Sequence, residues 1–368
     1  MWPYWILFLI PAMVAYSSKP LRNMRLDGAR RIKVDAAWLL VMLAIAFMIG
    51  FRDRVGGDWF NYFHYLFRAQ HLSIGEAIIR SDPGYELLNV LSLQMGLGIV
   101  GVNLFCGFVF ALGLVLYCRS MPRPWLALAV AIPYMTVVVS MGYSRQGVAL
   151  GFALIGLVAL GRERFLWFVF WIFVAAAFHR SAVLLIAIAL LTLNFRKIYN
   201  LPILLLAVPL MYGAFLEGRT DRLVAQYIDA EMASGGALLR LLMNVVPAIL
   251  FLKYRKRLVI AAGEQRLYTF MAFMAVASFL ALIGGLIPST ALDRTALYLL
   301  PLQVYVFSHL PDALGKQGGL NQTIVMGILA FYALVLFVWL NFGTYSRWWL
   351  PYRMFPPLDV MEAFQQRR

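Results

Sequence analysis

The side chains able to move a proton or grip an anion are gathered in a few short clusters. The first reads Arg52-Asp53-Arg54-Val55-Gly56-Gly57-Asp58. Its glycine pair permits a turn and a close backbone approach. Asp58 is then placed to cap a helix over 59–70, with Tyr62 and Tyr65 on the same face. A carboxylate at the head of a tyrosine face is suited to sugar, since the acid takes hydroxyl protons and the rings stack. Trp59, Phe60, Phe63 and Phe67 leave a second reading open, an interfacial helix with an aromatic belt. The second cluster is Asp82-Pro83-Gly84-Tyr85-Glu86, an N-cap followed by proline at the first helical position. Glu86 is either a capping-box partner or a carboxylate at the mouth of a site.

Arginine recurs at the ends of apolar runs. Tyr143-Ser144-Arg145-Gln146 opens one, and a helix N-terminus there adds free N–H groups for an anion. Gly235-Gly236 leads to Arg240, and Asp293-Arg294 leads to Tyr298. Phe178-His179-Arg180-Ser181 joins two more runs, with Ser181 as a candidate cap. His179 is either a hydrogen-bonded structural residue or a proton acceptor; its ordinary pKa near 6.5 suits the second role. Asp58, Glu86 and Asp53 compete with it. Asp53 lies between Arg52 and Arg54, which would hold it ionised and make it a poor base. These readings rank His179 first and Asp58 second. No C-x-x-C or Asp-x-Asp spacing offers a metal site.

These clusters need elements to hold them, and composition says which. The chain has 368 residues, 62% hydrophobic and 13% charged, with mean hydropathy +0.78. Such a chain is neither disordered nor a water-soluble enzyme. We expect an all-α polytopic membrane protein with about twelve transmembrane helices. The spans fall near 2–17, 36–51, 99–117, 124–140, 146–161, 164–178, 181–195, 201–216, 239–252, 267–287, 294–309 and 323–341. The first has no basic residues before it and reads as a retained span, not a cleaved signal. Cys106 and Cys118 lie roughly 18 Å apart along one helix, too far for a disulfide. No internal repeat is visible, which weakens the repeat-built transporter folds.

Charge orients the spans. Segments 18–35 and 253–266, with Arg119/Arg123, Arg162/Arg164 and Arg196/Lys197, fall on one side. That side carries net +13 against +2 on the other, and all six lysines. It is therefore expected to be cytoplasmic, with 52–98, 217–238 and 342–368 outside and 1–368 forming a single transmembrane domain. The net charge of +15 thus reads as topology and not as nucleic-acid binding. Every outer Lys/Arg cation is arginine, whose fork binds phosphate bidentately. Arginine also outnumbers lysine 26 to 6 overall, so base composition is a competing explanation. Trp348 and Trp349 are expected to mark the membrane interface.

The ordered set VGGDWFNYFHYLF, SDPGYELLN, SRQGVALGFALIGL, FHRSA, LDRTALYLLP and LPYRMF resembles the EpsG family, relatives of the Wzy O-antigen polymerases. The resemblance runs from about residue 50 to 355. It implies a GT-C-like membrane glycosyltransferase architecture with short amphipathic helices in the outer loops. It also implies polymerisation of exopolysaccharide repeat units carried on undecaprenyl pyrophosphate, at the outer leaflet of the bacterial inner membrane. Arg145 and Arg294, supported by Arg52 and Arg240, would grip the pyrophosphate in place of a metal, with no cofactor. His179, Asp58 or Glu86 would serve as the base. Tyr62, Tyr85, Tyr143, Gln146, Arg180, Tyr298 and Arg54 would contact substrate. The lipid-linked glycan is both donor and acceptor, and a chain-length regulator or export complex is a further partner. A related transferase or ligase, a flippase and a scaffold subunit are the rival readings.

Overall fold

The computed structural model describes residues 1–21, 34–183, 185, 209, 236–258, 262–287 and 289–355. Among these residues there is no strand, only an isolated antiparallel bridge between Arg52 and Met354. The helices are α1 (Trp2–Ser17), α2 (Ala36–Gly50), α3 (Trp59–Ala69), α4 (Ile74–Ile78), α5 (Pro83–Gln94), α6 (Gly98–Arg119) and α7 (Pro124–Ala131). After a π-helical stretch (Ile132–Ser140) come α8 (Ser144–Gly161) and α9 (Phe165–Phe178). Then follow α10 (Ala237–Tyr254), α11 (Ala262–Ile283), α12 (Ser289–Ala296), α13 (Leu300–Leu314) and α14 (Gln322–Phe342). Five of them, α6, α8, α10, α11 and α14, are long and apolar enough to cross a membrane, and four shorter apolar helices accompany them. Most of the expected spans 181–195 and 201–216, the pair Arg196/Lys197, most of 217–238 and residues 22–33 of the segment 18–35 lie outside the described residues.

α6 is packed between α2 and α8, and glycine sets how closely. A Cβ on Gly107 would lie 2.8 Å from the Ala46 carbonyl oxygen of α2. One on Gly113 would lie 2.1 Å from the carbonyl oxygen of Gly151 in α8, and one on Gly151 would lie 2.7 Å from the Phe110 Cα. Helices in lipid gain little from hydrophobic exclusion, so this backbone approach supplies dispersion contacts that larger residues would prevent.

Two expected spans depart from a simple α-helix. The run 124–140 widens into the π-stretch at Ile132, where Pro133 lacks the N–H for an ordinary turn. The run 294–309 is broken. α12 ends at Ala296, a 3₁₀ turn covers Leu297–Leu299, and α13 starts with Pro301 in its first turn. Backbone freed by such a break must find partners inside the protein. Asn244 of α10 donates to the Ala296 carbonyl at 3.0 Å, and the Tyr117 hydroxyl donates to the Pro301 carbonyl at 2.9 Å. Gln303 donates to Asn244 and accepts from Tyr332, both at 2.8 Å, tying α10, α13 and α14. The break lets α12 turn aside with Asp293 and Arg294, which the sequence had placed at the head of a continuous span.

At one end of the bundle Arg123 grips Asp312 with two bonds of 3.0 and 2.9 Å and reaches the carbonyls of Gly319 and Leu320. Arg119 lies 3.9 Å from Asp35 there, and Leu21 pairs with Pro122. The segments 52–98, 143–146, 179–183 and 343–355 meet at the opposite end, which holds the candidate site.

Gly113→Val drives a side chain into the α8 backbone and is expected to cost about 1–3 kcal/mol. Thermal unfolding in detergent micelles checks this. Gly75→Ala, where nothing lies within 4 Å of the added carbon, leaves the melting temperature unchanged. Equal melting temperatures for the two variants would mean that α6 and α8 do not approach as closely as described.

Candidate functional site

Arg52, expected among the pyrophosphate ligands, is turned inward and completely buried. Its guanidinium donates to Ser144 Oγ at 2.6 Å, to Asn103 Oδ1 at 3.1 Å, to the Val55 carbonyl at 3.2 Å and to the Ile49 carbonyl. One cation thus joins the end of α2, the following loop, α6 and the start of α8. Its charge is dispersed over oxygen dipoles and the ring of Trp59, 5.7 Å away. Gly56 follows at φ +112, where a Cβ would meet the Met141 carbonyl at 2.4 Å; the expected close approach belongs to this glycine. The C-terminal segment seals the same end. Trp349, expected at the membrane interface, is buried and donates to the Val137 carbonyl at 2.7 Å, while Trp348 stays partly exposed. Tyr4 donates to the Trp349 carbonyl, and Tyr352 to that of Met48.

This clamp aims α3. Asp58 occupies its N-cap position, but the carboxylate caps nothing. It accepts instead from Asn61 Nδ2 at 3.3 Å. Asp58, Asn61, Tyr65 and Arg68 run up one face of α3 and, with Tyr62 and His64, line a cleft of about 250 Å³. Arg145 closes the far wall. Burial raises the Asp58 carboxyl above its ordinary range, and Arg145, Asn61 and Arg294 oppose the shift.

Asp82 departs from expectation in the same way. It stands at the N-cap of α5, yet its side chain leaves the helix and accepts from Arg145 at 2.7 Å. The charge-assisted bond to arginine is stronger than a cap. Burial raises the Asp82 carboxyl, against the charges of Arg145 and Arg180. The Arg145 guanidinium lies 4.5 Å from the Tyr65 ring and 6.0 Å from that of Tyr85, and Tyr62 packs on Tyr85. Glu86, read as a cap or a mouth carboxylate, is neither. It is 3% exposed and paired with Arg68 at 2.9 Å. A buried carboxylate already holding its counter-ion is a poor base.

His179 ends α9, and a 3₁₀ turn, Arg180–Val183, follows where Ser181 was expected to cap. His179 Nε2 lies 3.3 Å from Gln146 Nε2, and Nδ1 is buried without a partner among the described residues. With the Gln146 amide as donor, Nδ1 carries the ring hydrogen. Burial, then Arg145, Arg294 and Arg180, push His179 down to about 3, so it is neutral at physiological pH. Arg180 Nη1 is likewise buried without a partner among the described residues. Arg240 forms a two-pronged pair with Asp293, its Nη2 bond 3.0 Å long. Tyr143 stands at the α8 N-cap position, and exposed Arg54 lies 4.0 Å from Asp53.

The structure thus brings Asp58, Tyr62, Tyr85, Arg145, Gln146, His179, Arg180 and Arg294 into one neighbourhood. Sequence reasoning missed Asn61, His64 and Arg68, and gave Asp82 only a capping role. The signal for Asn61 and Arg68 was available, because positions 58, 61, 65 and 68 keep helical spacing. Nothing in sequence could pair Asp82 with Arg145. Among the described residues no three His, Cys, Asp or Glu side chains converge on a cation site, and both cysteines are free.

A family model described as the EpsG family matches residues 35–354. No curated protein and no solved structure matches the chain.

Arg52→Lys keeps the charge but loses the fork, and Arg52→Ala also empties a packed site. Hydrogen bonds to a charged group are worth about 1.5–3 kcal/mol each, so both variants are expected to unfold well below the wild type. Arg145→Lys, on a part-exposed side chain, is expected to melt within a few degrees of it. Thermal unfolding in detergent separates the two. A normal melting temperature for Arg52→Ala would return Arg52 to the substrate ligands.

Proposed function

The chain belongs to the EpsG family, a family of Wzy-like polysaccharide polymerases, and from that premise we propose that it elongates a lipid-linked glycan at the outer face of the cytoplasmic membrane. The donor is the growing chain on undecaprenyl pyrophosphate, and the acceptor is the next lipid-linked repeat unit. An acceptor hydroxyl oxygen attacks the anomeric carbon of the donor. The carbon–oxygen bond to phosphate breaks, the hydroxyl proton passes to a base, and lipid pyrophosphate leaves. The observation that carries this reading is the position of Arg145. It heads α8, is oriented by Asp82, and lies between the Asp58 cleft and His179.

Arg145 and Arg294 take the leaving pyrophosphate, and Arg180 adds a third cation. Positive charge set beforehand around a developing anion stabilises the transition state with little reorganisation. The arginines take the part of a divalent ion, so polymerisation proceeds in EDTA. Asp58 is the base. It faces the cleft that admits the acceptor, and burial makes it more basic than an ordinary aspartate. His179, first by residue type alone, is too weakly basic and spends Nε2 on Gln146. Its Nδ1–H supports the leaving phosphate oxygen.

Purified protein incubated with its lipid-linked repeat unit is expected to give a ladder of polymer lengths. A single addition would identify a ligase, and lipid movement across vesicles without a new glycosidic bond a transporter. Arg145→Ala and Arg294→Ala are each expected to lose at least tenfold in rate; a full ladder from both removes the pyrophosphate assignment.

The base assignment has its own signature. Asp58 must be ionised, so kcat/KM falls on the acid side at a pH above the ordinary aspartate range. His179 stays neutral above about 3 and adds no break near 6.5. Asp58→Asn is expected to cost roughly 10²–10⁴-fold and abolish the acid limb. His179→Ala is expected to lower the rate and leave the limb in place. If His179→Ala abolishes the limb and Asp58→Asn does not, histidine is the base.

A further inference from the structure

The arginine site has two electrically different sides, and the difference assigns the α3 cleft a ligand of its own. Around His179 the acting charges are Arg145, Arg294 and Arg180, all cationic. The two arginines that line the α3 cleft each already hold a carboxylate. Arg68 is paired with buried Glu86 at 2.9 Å, and Arg145 with buried Asp82 at 2.7 Å. Asp58 then adds a carboxylate, which accepts from Asn61. A phosphate or uronate entering here would meet the Asp58 carboxylate and two lining arginines already paired with buried acids.

Size and polarity narrow the choice. The cleft, about 250 Å³, is large enough for one sugar ring and too small for an oligosaccharide. Every lining side chain carries nitrogen or oxygen, which disfavours a lipid tail. Asn61 and His64, three residues apart on α3, are exposed at its mouth and offer an amide and an imidazole. Tyr65 does not present a free stacking face, since Arg68 and Arg145 lie 4.7 and 4.5 Å from its ring. Recognition in this cleft therefore rests on hydrogen bonds to hydroxyls.

We propose that the α3 cleft is a subsite for a single uncharged pyranose ring of the acceptor, with Asn61 and His64 reading its hydroxyl pattern. The assignment rests on the polymerase reading for the word acceptor, but not for the chemistry of the ring. A ring seated there puts a hydroxyl beside Asp58, with the cationic pocket across Arg145. Asn61 and His64 act on fit and leave the chemical step to Asp58.

The test uses the full-length protein in detergent micelles and saturation-transfer NMR. The probes are a panel of neutral methyl glycopyranosides (gluco, galacto, manno, rhamno and N-acetylglucosamine forms), methyl glucuronoside and inorganic pyrophosphate. At least one neutral glycoside is expected to bind at millimolar concentration. Asn61→Ala and His64→Ala each weaken it about three- to tenfold, the loss of one hydrogen bond, with unchanged melting temperature. Pyrophosphate does not displace it. Binding of the glucuronoside or pyrophosphate that responds to Asn61→Ala, neutral binding indifferent to both variants, or no binding by any neutral glycoside would each overturn the proposal. The ladder assay separates this from the polymerase reading. No ladder with variant-sensitive glycoside binding defeats the polymerase and leaves the sugar site. A normal ladder with unchanged KM in both variants defeats the sugar site alone.

Discussion

The site end of the molecule depends on one buried cation. Removing a guanidinium from water costs several kcal/mol, and among the described residues Arg52 has no carboxylate hydrogen-bond partner to offset that cost. Four oxygen acceptors from separate parts of the chain replace the lost hydration. Each must be where the planar fork reaches it, so satisfying Arg52 fixes the end of α2 against Asn103 of α6 and Ser144 of α8. The next residue after Ser144 is Arg145. The clamp therefore positions the arginine that heads α8, and it launches the Gly56 turn that aims α3.

Once those elements are placed, local preferences give way to charge. Asp58 and Asp82 both stand at N-cap positions, and neither side chain caps its helix. The cap bond contributes about 1 kcal/mol, whereas a part-buried arginine beside Asp82 offers a stronger, charge-assisted bond and would itself be costly to leave unpaired. The same reasoning takes Glu86 to Arg68. Two ion pairs then wall one side of the site, and Arg294 and Arg180 remain within electrostatic reach of His179 on the other. A residue's role in this site follows from which partner burial forces upon it.

The broken run at 289–314 shows a comparable exchange. An unbroken helix would hold Asp293 and Arg294 at the head of a continuous span. The 3₁₀ turn at Leu297 and Pro301 in the first turn of α13 end that helix, and Asn244 takes up the freed Ala296 carbonyl. The polar set Asn244–Gln303–Tyr332 that results is buried between three helices. It compensates the break that lets α12 carry Arg294 toward the site.

Hydropathy alone located α1, α2, α6, α8, α9, α10, α11 and α14, because an apolar run of that length has one satisfactory backbone solution in lipid. It also pointed to the Gly56 turn, the Asp58–Tyr62–Tyr65 face and the arginines at the helix ends, all readable from local spacing. Tertiary structure decided the rest. The π-stretch and the interrupted helix at 297 depended on distant partners for their freed backbone groups. Whether Arg52 faced substrate or the interior, whether Trp349 met the membrane or the core, and whether Asp82 capped α5 or held Arg145 were all settled by residues far away in sequence. Spacing along a chain reports which side chains share a helix face; it carries no information on which charge from another helix will lie opposite, and for a buried ionisable group that counter-charge determines its role.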